Sequence, residues 1–396
     1  MINKKMIGLG KQSSAIRELF EYGKNRKHEI GVDKVFDFSI GNPSVACPDI
    51  ITKKLIEIIS NTDPISLHGY SSAIGHVAIR NEIARYINET YNAKEQGKYV
   101  LLTAGAAPGL TITFSALLND QEEVIVLAPF WPEYKVFIER ANGVMKISNT
   151  DKKTFLPDFD DLEKTINEKT KCVVINSPNN PTGVVYEEDT IVKLASLLNK
   201  KQQEYGHDIY LISDEPYREL VYKDVKYPFI TNYYNNAIVI YSFSKSISLP
   251  GERIGYVLVG RDVNEKDDVY AAIKGSARAM GYVCATTLFQ QLIPYCQGVT
   301  SDLSVYKKNQ EILYSALVDI GYEVTKSDGA FYLFVKALED DAMAFSEKAK
   351  EFELLLVPSD SFGVQGYVRI SYCVSTKQIV DSIPTFKKLY DYYKSK

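Results

Sequence analysis

Seven short apolar runs divide the middle of this 396-residue chain, and they restrict its possible folds more than any other sequence feature. Runs such as CVVIN and AIVIYS are apolar at consecutive positions, which predicts strands with both faces buried. Helical patterns follow several of them, as in a parallel sheet covered by helices. The seven runs are 99–103, 123–127, 143–147, 171–176, 208–213, 237–242 and 253–259. They predict an α/β domain built on a mostly parallel, seven-stranded sheet.

The pattern changes near residue 282. A long helical stretch to about residue 320 is followed by strand-like segments interleaved with helical ones, which predicts a smaller α+β domain. The strand-like segments are 322–325, 330–335 and 368–372, and the helical ones are 342–352 and 376–393. The first 40 or so residues are too few to fold alone. We therefore predict an N-terminal arm (1–44) that packs on the small domain (282–396), and a large domain (45–281).

Charge and cysteine content exclude several classes of function. The chain has 46 basic and 50 acidic residues, a net charge of −4, which argues against a nucleic-acid partner. Five cysteines without a Cys-x-x-Cys pair are typical of reduced thiols in a cytoplasmic protein. The four histidines lack metal-ligand spacing, so no metal site is expected. The sequence shows no signal peptide and no apolar run of about 20 residues, so we expect no membrane association.

Polar loops follow five of the predicted strands. In open α/β sheets, ligands bind beyond the carboxyl ends of the strands, so these loops are expected to meet at one edge. The loops are AGAA (104–107), PFWP (129–132), SPNNPTG (177–183), DEPY (214–217) and the SFSKS segment (242–246).

Four residues of these loops, and Arg253 at the start of the last predicted strand, each have an ordinary explanation when taken alone. They would be a solvated lysine (Lys245), a turn or cap (Asp214), a core indole (Trp131), a tight turn (Gly105) and a surface arginine (Arg253). Together they have the chemistry needed to hold pyridoxal phosphate. A desolvated lysine forms a Schiff base, and a carboxylate pairs with a pyridinium nitrogen. An indole stacks on a ring, while a helix N-terminus and an arginine bind a phosphate.

Ten sequence motifs are distributed over nearly the whole chain. They are SIGNP (39–43), HGYSSAIGHVAIR (68–80), TAGAAPGL (103–110), PFWPEY (129–134), NSPNNPTG (176–183), SDEPY (213–217), SFSKS (242–246), PGERIGY (250–256), GAFY (329–332) and VRISY (368–372). In this order they resemble the motifs of the class I/II, fold-type I, pyridoxal-phosphate-dependent aminotransferases. The nearest likeness is to the aspartate and aromatic aminotransferases.

The resemblance implies a role for each matching residue. Lys245 matches the lysine that binds the cofactor and moves the substrate proton, with Asp214 and Tyr217 as its catalytic partners. The matching cofactor-binding residues are Gly105, Ala106, Ala107, Trp131, Asn180, Asp214, Tyr217, Ser242, Lys245, Arg253 and, from a neighbouring subunit, Tyr70. Those for the substrate are Gly41, Asn180, Arg369 and Arg278. The resemblance further implies a homodimer with shared active sites, acting on amino acids and 2-oxo acids such as 2-oxoglutarate.

Two departures bear on the substrate. Ala107 stands where one aspartate-specific subgroup has a lysine that reads the distal carboxylate, and the loop lacks the usual hydroxyl residues. Arg278 lies near the position where another subgroup has an arginine for that carboxylate, but the surrounding segment matches poorly. Arg278 is therefore either a specificity residue or an arginine at a domain or subunit junction.

Three other classes of function are alternatives to transamination. A carbon–sulfur β-lyase or a cyclopropane-carboxylate synthase would use a nearly identical cofactor site, because the fate of the carbanion depends on substrate fit. A non-enzymatic regulatory module would not need the full set of catalytic residues. A nicotinamide dehydrogenase is excluded because no Gly-x-Gly-x-x-Gly follows a predicted strand.

Overall fold

Strands and helices alternate along the chain. The computed structural model describes residues 2–11, 14–222 and 226–395. The helices are α1 (Lys4–Lys11), α2 (Ala15–Ile30), α3 (Asp49–Asn61), α4 (Pro64–His68), α5 (Val77–Tyr91), α6 (Ala106–Leu117), α7 (Glu133–Arg140), α8 (Phe159–Thr165), α9 (Glu188–Tyr205), α10 (Lys266–Ala279), α11 (Thr287–Cys296), α12 (Leu303–Ile320), α13 (Ala342–Glu351) and α14 (Thr376–Lys394). The strands are β1 (Phe36–Asp37), β2 (Val100–Thr103), β3 (Glu123–Leu127), β4 (Val144–Ser148), β5 (Thr170–Asn176), β6 (Tyr210–Asp214), β7 (Ala237–Ser242), β8 (Gly255–Val259), β9 (Tyr332–Lys336), β10 (Leu354–Leu355), β11 (Val357–Pro358) and β12 (Tyr367–Ser371).

The central sheet has seven strands in the order β2-β8-β7-β6-β5-β3-β4. Strands β3 to β7 pair in parallel, whereas β8 runs antiparallel to both of its neighbours, β2 and β7. The predicted mostly parallel, seven-stranded sheet is therefore confirmed. Because β8 is reversed, its amino end lies at the same edge as the carboxyl ends of the other six strands.

Both faces of the central strands of this sheet are buried, as the continuous apolar runs predict, whereas the edge strand β4 is partly exposed. On β5, Val173 and Ile175 belong to one core with residues of α5, α9 and α11. Cys172 and Val174 belong to a second core with residues of α6, α7 and α10. The central strands therefore lie between two helical layers, which leaves the edges of the sheet as the place where polar groups can gather.

A smaller antiparallel sheet, in the order β11-β12-β9, lies in the C-terminal part of the chain. Its core includes residues of α12, α13 and α14. The N-terminal segment joins this part of the molecule, because β1 pairs in parallel with β10. The division into 1–44, 45–281 and 282–396 stays a prediction.

Two predictions for the C-terminal part are wrong in detail. The single helical stretch expected from 282 to 320 is two helices, α11 and α12. Gly298 has a positive φ of 70° between them, and the Asp302 side chain caps α12 by accepting from the Ser304 amide. The strand expected at 322–325 is only an isolated bridge between Val324 and Val335. None of the helices in the described ranges has the length and apolar character needed to cross a membrane.

Candidate active site

A cavity of about 310 Å³ lies at the edge where the five polar loops meet. Residues from all five loops line it together with residues of the smaller sheet, which confirms the predicted convergence. The lining residues are Ile16, Gly41, Ala106, Ala107, Trp131, Asn176, Asn180, Asp214, Pro216, Tyr217, Ser242, Ser244, Lys245, Pro250, Arg253, Tyr332 and Arg369.

Three of the predicted site residues are not among the lining residues. Gly105 lies directly behind the Arg253 side chain, so it still belongs to the site. Tyr70 is 94% exposed, and Arg278 is exposed at the C-terminal end of α10. Within one chain, Tyr70 and Arg278 therefore contribute nothing to this cavity.

Asp214 ends β6 with its carboxylate fully buried. Oδ2 accepts a hydrogen bond of 2.6 Å from the Tyr134 hydroxyl. Oδ1 is buried and has no partner among the described residues. Burial raises the pKa of Asp214 to about 7, against the opposing effect of the Tyr134 hydrogen bond. A buried carboxylate oxygen without a partner is costly, so Oδ1 is suited to meet a cationic donor.

Lys245 follows β7 and is held inside the cavity. Its Nζ donates to the Gly41 backbone oxygen at 2.7 Å and lies 5.7 Å from the centre of the Phe331 ring. Burial lowers the pKa of Lys245 to about 8, and the positive charges of Arg369 and Arg253 act in the same direction. The amine is therefore more often uncharged near neutral pH than an exposed lysine, which makes it a better nucleophile.

One group of lining residues has the features of an anion site. Helix α6 begins at Ala106 without a side-chain cap, so its first backbone N–H groups have no intrahelical acceptor. Gly105 has a φ of 94°, and a Cβ there would lie 2.6 Å from Arg253 Nη2. Ser242 and Ser244 share a hydroxyl contact of 2.7 Å, and Arg253 Nη1 donates to Ser244 at 3.4 Å. These groups together suit a phosphate dianion.

Arg369 lines the cavity from the smaller sheet. This buried side chain on β12 donates from Nη1 to Asn180 Oδ1 at 3.0 Å and from Nη2 to the Ser39 backbone oxygen at 2.6 Å. Its Nε is buried without a partner among the described residues. The fixed guanidinium presents a rigid fork of donors, the geometry that matches a carboxylate.

Two aromatic residues complete the walls. Trp131 lines the cavity and is held by edge contacts to Tyr134 and Phe137, at 5.6 and 5.7 Å between ring centres. The Tyr217 hydroxyl lies 2.9 Å from that of Tyr332. Both walls are thus fixed before any ligand arrives.

Sequence analysis missed several of the functional neighbours. Tyr134 and Tyr332 lie inside quoted motifs, PFWPEY and GAFY, but no pattern in the sequence indicates what their hydroxyls contact. Ser244 lies inside the quoted SFSKS motif, between Ser242 and Lys245, and was given no role. Ile16 comes from α2, and it lines the cavity because of the way the N-terminal segment packs. No local sequence pattern predicts that packing.

Comparisons with known proteins agree with this geometry. The sequence profile of aminotransferase class I and II matches residues 33–383. A probable aspartate aminotransferase of Methanocaldococcus jannaschii is 30% identical over 387 residues, covering 96% of this chain and 97% of that protein. A crystal structure of an amino transferase from Eubacterium rectale is 52% identical, with a TM-score of 0.97 and 99% of both chains covered. A crystal structure of an aspartate aminotransferase from Thermotoga maritima is 28% identical, with a TM-score of 0.86, covering 98% of this chain and 100% of that chain.

Proposed function

Because the chain belongs to the class I and II aminotransferases, we propose that it uses pyridoxal phosphate to move an amino group between an L-amino acid and a 2-oxo acid. The proposed donor is aspartate or another acidic or aromatic amino acid, and the proposed acceptor is 2-oxoglutarate or a similar oxo acid. Relatives named aspartate aminotransferase support the acidic donor.

One observation supports this cofactor above all others: the buried Asp214 Oδ1 has no partner among the described residues. A protonated pyridine nitrogen is a donor of the right charge for that oxygen. The amine of Lys245 and the anion site at the start of α6 match the aldehyde and the phosphate of the same molecule. Arg253, Ser242 and Ser244 would hold the phosphate together with the amides of α6, and Trp131 would lie against the ring. The residues present therefore fit the group.

The cofactor, when bound, supplies an electron sink that makes the α-hydrogen of the amino acid acidic. The chain's own residues then bind and orient the substrate and move its proton. Arg369, fixed by Asn180 and Ser39, would take the α-carboxylate. Lys245 would carry the proton to and from the α-carbon, a task suited to an amine whose pKa burial lowers to about 8. Asp214 would keep the ring nitrogen protonated throughout.

We further propose a homodimer in the cytoplasm. Tyr70 is 94% exposed although its motif resembles one that reaches the phosphate of a neighbouring subunit. The isoleucine side chains of Ile50, Ile56, Ile59 and Ile65, on α3 and α4, are also exposed. A second copy of the chain would cover such an apolar surface. The five cysteines are unpaired, which is typical of a reducing compartment.

The test is to add pyridoxal phosphate to the purified protein, remove the unbound cofactor and record the visible spectrum of the protein. We expect a visible absorption band that borohydride abolishes, and that Lys245→Ala lacks. Lys193→Ala, which alters an exposed lysine on α9, is the matched control and should keep the band. A wild-type protein that stays colourless would disprove the proposal. Single-turnover spectra with each of the twenty amino acids would then identify the donor.

A further inference from the structure

Tyr332 contacts three residues that serve different parts of the proposed site. It is the first residue of β9, it is buried, and it lines the cavity. Its hydroxyl lies 2.9 Å from the Tyr217 hydroxyl. The same hydroxyl would lie 2.0 Å from a Cβ on Gly41. Its ring centre lies 4.7 Å from the guanidinium carbon of Arg369.

The hydroxyl pair can be oriented in only one way if Tyr217 serves the ring oxygen of the cofactor. Each phenol has one proton to donate. If Tyr217 donates its proton to the ring oxygen, then its contact with Tyr332 must use the Tyr332 proton. Burial raises the pKa of Tyr332 to about 12 and that of Tyr217 well above its usual value, so both keep their protons at neutral pH.

The ring of Tyr332 acts on a different group. A guanidinium over an aromatic face is attracted by the ring quadrupole, and the attraction grows when the cation is desolvated. Arg369 is buried, and its two Nη atoms are fixed by Asn180 and Ser39. The ring therefore supports the face of the guanidinium while the hydrogen bonds fix its plane.

We propose that Tyr332 is a positioning residue with two separable tasks. Its hydroxyl donates to Tyr217 and leaves the Tyr217 proton for the cofactor, and its ring supports Arg369 for the substrate carboxylate. This inference rests on the proposed function. It predicts that the hydroxyl and the ring can be removed one at a time with different consequences.

Tyr332→Phe removes the hydroxyl and keeps the ring. Tyr217 then loses a donor and becomes a weaker donor itself, so negative charge on the ring oxygen is less well stabilised. We expect the pH midpoint of the visible band of the loaded protein to rise by roughly 0.5 to 1 unit. The charged and titratable groups that face the pair are Arg369 and Cys373 around Tyr332, and Asp214 beside Tyr217. All of these groups remain in the variant. Because Tyr332→Phe keeps the ring that supports Arg369, KM for the amino acid should change little.

Tyr332→Leu removes the ring as well. We expect the same rise in the spectral midpoint and, in addition, a KM for the amino acid that increases by about 3- to 30-fold. Tyr322→Phe is the matched control. It removes another buried phenol of the same core, one that donates to the Phe386 backbone oxygen at 2.9 Å and does not line the cavity.

The outcomes separate this inference from the proposed function. A wild-type protein without a visible band would refute the proposed function itself. Suppose that the wild type has the band. If the pH midpoint of this band in Tyr332→Phe then equals the midpoint in the wild type and in Tyr322→Phe, the hydroxyl task is refuted. If Tyr332→Leu has the KM of Tyr332→Phe, the ring task is refuted. Thermal melting of each variant confirms that the folded proteins are compared.

Discussion

Two buried residues, Lys245 and Asp214, show how the site changes the charge state of its own groups. Burial lowers the pKa of Lys245 to about 8 and raises that of Asp214 to about 7, so it favours the neutral form of each. A cationic ring nitrogen placed at Asp214 Oδ1 would favour the carboxylate again. The loaded and the cofactor-free protein should therefore differ in their response to pH.

Asp214→Asn tests this in the cofactor-free protein. In the wild type, the folded pKa of about 7 lies above the unfolded value of 3.8. The folded state therefore binds the extra proton between these values, and its stability falls as the pH rises through them. We expect the stability of Asp214→Asn relative to the wild type to increase by roughly 2–3 kcal/mol between pH 5 and pH 7, and to level off about one pH unit above the folded pKa.

Denaturant unfolding of the two proteins across this pH range measures the difference. Asp340→Asn, on the surface, is the control and should show no such trend. The same Asp214→Asn change should remove most of the turnover of the loaded enzyme, because a neutral amide does not keep the ring nitrogen protonated. A pH-independent difference in stability would contradict the assigned cause.

Helix α6 and strand β8 show the contribution of whole elements. Helix α6 points its uncapped N-terminus at the cavity, and β8 runs antiparallel, so the residues before it reach the same edge. Gly105 and Arg253 meet there, both with positive φ. Glycine is required at 105 because a Cβ would meet the Arg253 guanidinium.

Gly105→Ala should therefore weaken cofactor binding by displacing Arg253. Gly206→Ala is a matched control, because Gly206 also has a positive φ, of 71°, but a Cβ there would meet nothing within 4 Å. Gly206→Ala, in the left-handed region, should lose about 1–2 kcal/mol of stability through backbone strain. Gly105→Ala, at a φ of 94° and a ψ of 179° that are essentially restricted to glycine, should lose about 1–3 kcal/mol. Only Gly105→Ala should raise the Kd for pyridoxal phosphate, as measured by fluorescence titration. Equal Kd values for the two variants would contradict a role for this contact.

A single chain leaves parts of the predicted site unused. Tyr70 and Arg278 are exposed and do not line the cavity of their own chain. A second chain would have to bring them to a cavity, as the resemblance implies. For the whole molecule, the proposed roles of Tyr70 and Arg278 in the activity therefore depend on the proposed dimer.

Complementation tests the shared site. Tyr70→Ala and Lys245→Ala should each have little activity as pure proteins. When they are unfolded together and refolded, mixed dimers would contain one site with both residues intact. We expect activity to return to about a quarter of the wild-type level if subunits pair at random. A fully active monomer by light scattering would contradict the shared site.

Arg278→Ala tests the acidic substrate. A buried carboxylate without a cation is costly, and Ala107 stands where one subgroup of the family has a lysine for that carboxylate. Hydrogen bonds to charged groups contribute about 1.5–3 kcal/mol, or one to two decades in kcat/KM. We expect a loss of that size for aspartate and 2-oxoglutarate and little change for an aromatic donor. Equal losses for both donors would indicate that Arg278 is structural.

The central sheet and most of the cavity are predictable from the amino-acid sequence. Continuous apolar runs require two covered faces, and parallel strands require their following loops to meet at one edge. These are local patterns with a single geometric solution, which is why Lys245, Asp214, Asn180 and Trp131 line one cavity as predicted. The same reasoning was less accurate after residue 282, because the helical pattern continues across the break between α11 and α12 and the apolar run at 322–325 is too short for its periodicity to define a strand.

The contacts that hold the site residues in place, in contrast, come from packing between distant segments. The hydroxyl of Tyr134 on Asp214, that of Tyr332 on Tyr217 and the contact of Ile16 with the cavity all join segments far apart in the chain. Such contacts depend on how helices and sheets pack, and no residue spacing encodes them. The pKa directions of Lys245 and Asp214 have the same origin, because burial is a property of the folded molecule and not of the loop that carries the residue.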